Sequence, residues 1–179
     1  IFALLLEDAG LPVQRRLGLA GTAVCFRALR SGDVDLYCEY TGTGLVTLLE
    51  KPATGTPAEV LQTVRADFAA RWDLLWLAPL GFENAYEVAV RREVAARHGL
   101  RRISDLVPVA GGLKAGFGYE FVQREDGLQG LRRVYGLDFG AVVTLQQALK
   151  YQAAGRGEVD VLDVYTTDGR ILVHDLVGS

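Results

Sequence analysis

Residues 157–169 read Gly-Glu-Val-Asp-Val-Leu-Asp-Val-Tyr-Thr-Thr-Asp-Gly, and residues 32–44 read Gly-Asp-Val-Asp-Leu-Tyr-Cys-Glu-Tyr-Thr-Gly-Thr-Gly. Aligned without gaps, the two stretches share Gly, Val, Asp, Tyr, Thr and Gly at matching positions. In each, a helical pattern closes at the first Gly, a strand follows, and a Tyr-Thr-x-x-Gly turn comes at the strand's carboxyl end. Gly-x-Val-Asp is also a common entry into any strand, so the repeat alone leaves coincidence open. Read as a true repeat, it predicts two related α/β lobes. Ligands of open α/β sheets bind at the carboxyl ends of strands. Tyr40 and Tyr165 then stand at equivalent binding edges.

Outward from the repeat, helices and strands alternate. Helices are predicted over 2–9, 22–30, 43–50, 57–72, 93–98, 127–135 and 145–154. Strands are predicted over 12–17, 34–37, 74–77, 86–91, 113–121, 142–143, 159–165 and 171–173. The clearest start is Thr56-Pro57-Ala58-Glu59. Thr56 is the N-cap, Pro57 sits at N1 and Glu59 completes a capping box. Thr144 with Gln147 is read as a second box, and Asp126 as the cap of the helix before Gly136. The alternation predicts a mostly parallel α/β architecture. The break at 79–84 separates a first lobe, residues 1–82, from a second, 83–175, with 176–179 beginning a return crossover.

Composition removes several function classes. The 179 residues carry 22 acids against 19 bases, a net charge of −3, so there is no basic excess for a nucleic-acid partner. No apolar run approaches the ~20 residues a membrane span needs. Two cysteines, Cys25 and Cys38, and two isolated histidines do not make a zinc set. Free, buried thiols are expected. The sequence contains no Met and opens on Ile1, so a longer parent chain is expected.

Enzyme motifs are scarce: there is no nucleophile elbow, no paired-histidine zinc helix and no Walker loop. Neither catalysis nor a cofactor is expected. Thr41-Gly42-Thr43-Gly44 opens a helix and can hold an anion through backbone N–H groups. Tyr40, Tyr86 and Tyr165 sit at strand ends beside small polar residues, whereas Tyr119, Tyr135 and Tyr151 are read as packing residues. A quaternary ammonium group has no N–H to donate, so its natural partner is the quadrupole of aromatic faces, at ~0.5–2 kcal/mol per contact. Arg124 precedes Glu125-Asp126-Gly127 at a turn. It either clamps a carboxylate with its planar fork or pairs with Glu125 or Asp126.

The segments Ala28–Tyr37, Glu39-Tyr-Thr-Gly-Thr-Gly44, Pro79-Leu-Gly-Phe-Glu-Asn-Ala-Tyr86, Arg124-Glu-Asp-Gly127, Gly157-Glu-Val-Asp-Val161 and Tyr165-Thr-Thr-Asp-Gly169 resemble, in order and spacing, the substrate-binding proteins of osmoprotectant ABC transporters. These take glycine betaine, choline or carnitine. The resemblance implies a type II periplasmic-binding-protein fold, with the ligand in a cleft between two α/β lobes. By motif, Tyr40, Tyr86 and Tyr165 look like cage walls around the trimethylammonium group. Asn84 matches a position whose carbonyl faces the cation, and Thr43 and Arg124 look like carboxylate ligands. The implied partners are a small quaternary-ammonium ligand and an ABC permease, outside the cytoplasm and at the membrane through the transporter. A permease-fused or sensor domain of the same fold, or a binder of another small cationic or zwitterionic solute, is the alternative. Cys38 stands where the family has Pro. The resemblance covers the middle of the family's length, so the first lobe is expected to lack a strand and its closing helices, and the pocket a further cage wall.

Overall fold

The helix predicted most sharply forms as its sequence dictates. In a computed structural model of the chain, which describes residues 1–19 and 21–178, the capping box at Thr56 is complete. The Glu59 amide donates to Thr56 Oγ1 at 3.4 Å, and Glu59 Oε2 accepts from the Thr56 amide at 2.7 Å. Ala20, inside the glycine-rich stretch 18–22, and Ser179, the last residue of the expected crossover, lie outside the described residues.

The described chain divides into two compact units, Ile1–Trp76 and Leu77–Ser179. The first unit is helical: α1 (Phe2–Asp8), α2 (Thr22–Ser31), α3 (Thr41–Thr43) running into a π-helical turn (Gly44–Leu48), and α4 (Pro57–Trp72). Its core is Phe26, Leu45, Leu49, Val64 and Phe68. Phe26, Phe68 and Trp72 meet edge to face with centroids 4.7–5.7 Å apart. Phe26 is the buried residue of α2. Trp76 leans so closely on Gly44 that a Cβ there would stand 2.7 Å from its ring.

The expected strands at 12–17, 34–37 and 74–77 do not form. Alternating residues supply a strand's faces, but its hydrogen bonds come from a neighbour. None of the three segments has a partner strand among the described residues. The repeat is therefore kept in its glycines, since Gly32 and Gly157 both take positive φ after a helix, but only the second copy is a strand.

The second unit is α/β. Its elements are β1 (Tyr86–Arg91), α5 (Arg92–His98), β2 (Lys114–Phe117), α6 (Tyr119–Gln123), α7 (Leu128–Tyr135), β3 (Ala141–Thr144), α8 (Gln147–Gly155), β4 (Val161–Tyr165), α9 (Arg170–Val173) and β5 (Leu176–Gly178). Among the described residues five strands form one sheet, in the order β3-β2-β4-β1-β5. It is mixed rather than mostly parallel: β2 runs parallel to β3 and β4, while β1 runs antiparallel to β4 and β5. One face is packed by Val88, Val90, Phe117, Phe121, Leu131 and Val161. The other is packed by Ala89, Tyr151, Ala154, Leu162 and Val164.

Three further expectations are corrected here. The run 171–173 is helical, not a strand, and the sheet is instead joined by β5. Thr144 does not cap α8. It belongs to β3, opposite Phe117, and the helix starts after Gln146. Both cysteines are free, as expected, yet Cys38 is exposed and Cys25 only half-buried.

Replacing Thr56 by Ala removes the cap of α4 while leaving the core intact. We expect a loss of about 1 kcal/mol. The unfolding midpoint followed by the fluorescence of Trp72 and Trp76, both in the first unit, measures it.

Candidate functional site

Strand alternation sets the geometry of the second unit's candidate residues. Successive side chains of β4 point to opposite faces, so Val161, Asp163 and Tyr165 share one face. In β1 the same rule groups Tyr86, Val88 and Val90. The antiparallel register places Tyr86 directly opposite Tyr165. Cross-strand neighbours of this kind touch, and these do. Their ring centroids are 5.0 Å apart at 42°, and the two hydroxyls lie 3.3 Å from one another.

The short helix α6 backs this pair. Phe121 is buried and sets its ring 5.3 Å from that of Tyr86. Arg124 follows as the C-cap, its amide donating to the Glu120 carbonyl at 3.0 Å. Its guanidinium carbon lies 5.3 Å over the Tyr86 ring. Only 8% of Arg124 is exposed, and it forks onto Asp126, Nε to Oδ1 at 2.8 Å and Nη2 to Oδ2 at 2.7 Å. Of the two roles open to Arg124 from its sequence neighbours, the structure forms the ion pair with Asp126. That carboxylate is thereby taken, and the N-cap of α7 is Gly127, not Asp126, with no side-chain cap. The turn also requires Gly127: a Cβ there would fall 2.1 Å from the Phe121 carbonyl oxygen.

Electrostatics keep both phenols neutral. Burial pushes the Tyr86 hydroxyl far above the ordinary phenol range, with the Tyr165 hydrogen bond adding to it. Burial also raises Tyr165. For Arg124, burial opposes the charge. The fork to Asp126, with Tyr86 and Glu120 nearby, outweighs it and raises the guanidinium further. The site therefore presents neutral, electron-rich rings beside a fixed cation. Glu120 acts electrostatically on Tyr86, Tyr165 and Arg124 alike, and the sequence reading missed it.

Asn84 joins this group through its side chain. Its Oδ1 accepts from Thr167 Oγ1 at 2.8 Å, tying the approach to β1 to the turn after β4. Tyr40 and Thr43 belong to the first unit. Tyr40 precedes α3 as its N-cap and is 42% exposed, and Thr43 is half-buried at the end of α3. Among the tyrosines read as packing residues, Tyr151 is buried, but Tyr119 and Tyr135 are exposed.

A buried ion pair beneath the tyrosines was not anticipated. Lys150 Nζ donates to Asp163 Oδ2 at 2.6 Å and to the Asp163 carbonyl at 2.9 Å. Asp163 Oδ1 accepts from the Gly118 amide at 2.7 Å, closing the carboxyl end of β2 against β4. The available signal was an acid inside the apolar run 159–165, on the same face as Tyr165.

Residues 1–178 match the OpuAC family, described as the substrate binding domain of ABC-type glycine betaine transport systems. The chain is 34% identical over 172 residues to the carnitine transport binding protein OpuCC of Listeria monocytogenes, covering 95% of this chain and 56% of that protein. It is 34% identical over 177 residues to the ergothioneine transport permease/ergothioneine binding protein EgtU of Helicobacter pylori, covering 98% of this chain and 32% of that one. The chain thus spans between about a third and just over half of these relatives. Among solved structures it is similar to a glycine betaine/carnitine/choline ABC transporter protein. The TM-score is 0.65 at 29% identity, covering 98% of this chain and 65% of that one.

Proposed function

The chain belongs to the OpuAC family of substrate-binding domains of ABC-type glycine betaine transport systems, and on that premise we propose that it is the solute-binding part of an ABC importer. Its solute is a small quaternary-ammonium compound of the glycine betaine, choline or carnitine type. The observation that carries this reading is the Tyr86–Tyr165 pair, held ring to ring by strand register, with Phe121 and Arg124 against it. A trimethylammonium group is a bulky cation that cannot hydrogen-bond, and neutral phenol faces stabilise it without demanding a donor.

Tyr40, Tyr86 and Tyr165 are the proposed cage residues, with Asn84 toward the cation. Thr43 and Arg124 are the proposed carboxylate partners. The lobes are taken as residues 1–82 and 83–175, with 176–179 beginning the return. A membrane permease is the proposed partner, and the extracytoplasmic side the proposed location. A second reading, a binding domain fused to its permease, is favoured by the similarity to EgtU, whose name joins both parts and of which this chain covers 32%.

Calorimetric titration with glycine betaine, choline, carnitine and ergothioneine tests the proposal. Saturable binding of at least one, displaced by excess tetramethylammonium, is the expected result. A folded chain that binds none of the four overturns it. Arg124→Gln separates the roles of cation and carboxylate. A lost charge-assisted hydrogen bond weakens glycine betaine about tenfold. Choline, which has no carboxylate, is expected to lose less than about threefold. Equal losses make Arg124 a partner of Asp126 alone.

A further inference from the structure

Asp168 lies in the turn just past Tyr165, and its side chain is 12% exposed. Its Oδ2 accepts from Tyr151 Oη at 2.8 Å and from Arg170 Nη2 at 2.6 Å. Its Oδ1 accepts from the Arg170 amide at 3.0 Å and from Arg170 Nε at 2.9 Å. Tyr151, on α8, is 1% exposed, and the Arg170 guanidinium lies 4.5 Å over its ring. The carboxylate is therefore bound to the helix layer on one side and closed by its own loop on the other.

The same turn is stapled to the start of β1. The Asp168 amide donates to the Tyr165 carbonyl at 2.9 Å, and the Thr166 amide to the Ala85 carbonyl at 3.0 Å. The Ala85 amide returns a bond to Thr166 Oγ1 at 3.1 Å, and Thr167 Oγ1 donates to Asn84 Oδ1 at 2.8 Å. Tyr86 comes next in the chain. A continuous set of hydrogen bonds thus runs from α8 through Tyr151 and Asp168 to the backbone on which both tyrosines stand. The β1–β4 ladder ends at the Tyr86–Tyr165 pair, so beyond it this turn sets how the rings sit.

We propose that Asp168 is the positioning residue of the tyrosine pair: anchored to α8 through Tyr151 and closed by Arg170, it fixes the turn that holds Tyr165 beside Tyr86 and Asn84 beside Thr167. The proposal rests on the reading that this pair meets the ligand. The charge state suits the role. The Arg170 fork holds the Asp168 carboxyl well below the usual carboxylate range, and burial raises the Tyr151 hydroxyl, so acceptor and donor persist together at neutral pH.

Tyr151→Phe deletes one hydroxyl and keeps the ring. Amide hydrogen exchange at Thr166 and Ala85 is expected to accelerate about tenfold, while amides at the centre of β4 keep their protection. Choline affinity is expected to fall about fivefold. Unchanged exchange at Thr166 and Ala85 overturns the anchoring. Equal acceleration across the sheet shows a merely structural bond. Faster local exchange with unchanged affinity shows that the turn does not set the rings. Should Tyr151→Phe unfold the chain, Asp168→Asn, which keeps an acceptor but breaks the charged fork, gives the same readouts. An unaltered chain that binds no quaternary amine overturns the ligand reading, and the exchange arm still decides the anchoring.

Discussion

Lys150→Met is expected to cost the second unit about 3–5 kcal/mol of stability, because it leaves a buried carboxylate with its charge uncompensated. Lys150 is fully buried and Asp163 is 2% exposed, so no water replaces the lost ammonium. Burial drags the lysine below its ordinary value, and Asp163 is what holds the proton on it. The pair is not a strong stabiliser in itself, since taking two charges out of water offsets most of their attraction. What is costly is halving it. The double variant Lys150→Met/Asp163→Leu is therefore expected to recover a large part of the single-variant loss. Urea unfolding followed by far-ultraviolet circular dichroism measures both. A single-variant loss below about 1 kcal/mol, in the range of exposed pairs, contradicts the argument.

The second large effect concerns the ligand. Tyr165→Ala is expected to weaken choline by about 1–2 kcal/mol, because it removes a whole aromatic face. Tyr165→Phe keeps the face and gives up only the long hydroxyl contact to Tyr86, so a change within about threefold is expected there. This contrast separates a ring acting through its quadrupole from a hydroxyl acting as a hydrogen-bonding group. Isothermal titration of both variants, each with its thermal unfolding recorded, gives the answer. Equal losses in Ala and Phe would move the recognition from the ring to the hydroxyl.

Local rules carried the reading furthest where a signal needs no distant partner. The box at Thr56 is such a case, because donor, acceptor and helix lie within four residues. Strands depended on neighbours. The expected strands 86–91 and 159–165 found each other and became β1 and β4, the latter from Val161, whereas 34–37 found no partner among the described residues. Ile171-Leu172-Val173 has strand composition, yet Asp168 and Arg170 close a turn immediately before it and the chain winds into a helix. At the site, the repeat and the strand ends located Tyr86 and Tyr165. Arg124 was seen, and the ion pair with Asp126 that its neighbours offered is formed, while its role toward a ligand carboxylate is left to the titration of Arg124→Gln. Lys150–Asp163 and Tyr151–Asp168 join residues from different elements, and no spacing in the sequence announces them.

The pairing of β1 with β4 also governs when the site can exist. Tyr86 and Tyr165 are separated by 79 positions, a long loop to close. The parallel strands β2, β3 and β4 and the helices between them are made from the stretch that separates the two tyrosines. At a synthesis rate of roughly 5–20 residues per second, Tyr86 precedes its partner by several seconds. Throughout that interval Val88 and Val90 wait on a strand with no ladder. The proposed recognition surface thus forms only after β4 has been made, and until then the β1 segment is the stretch a holdase chaperone would have to cover.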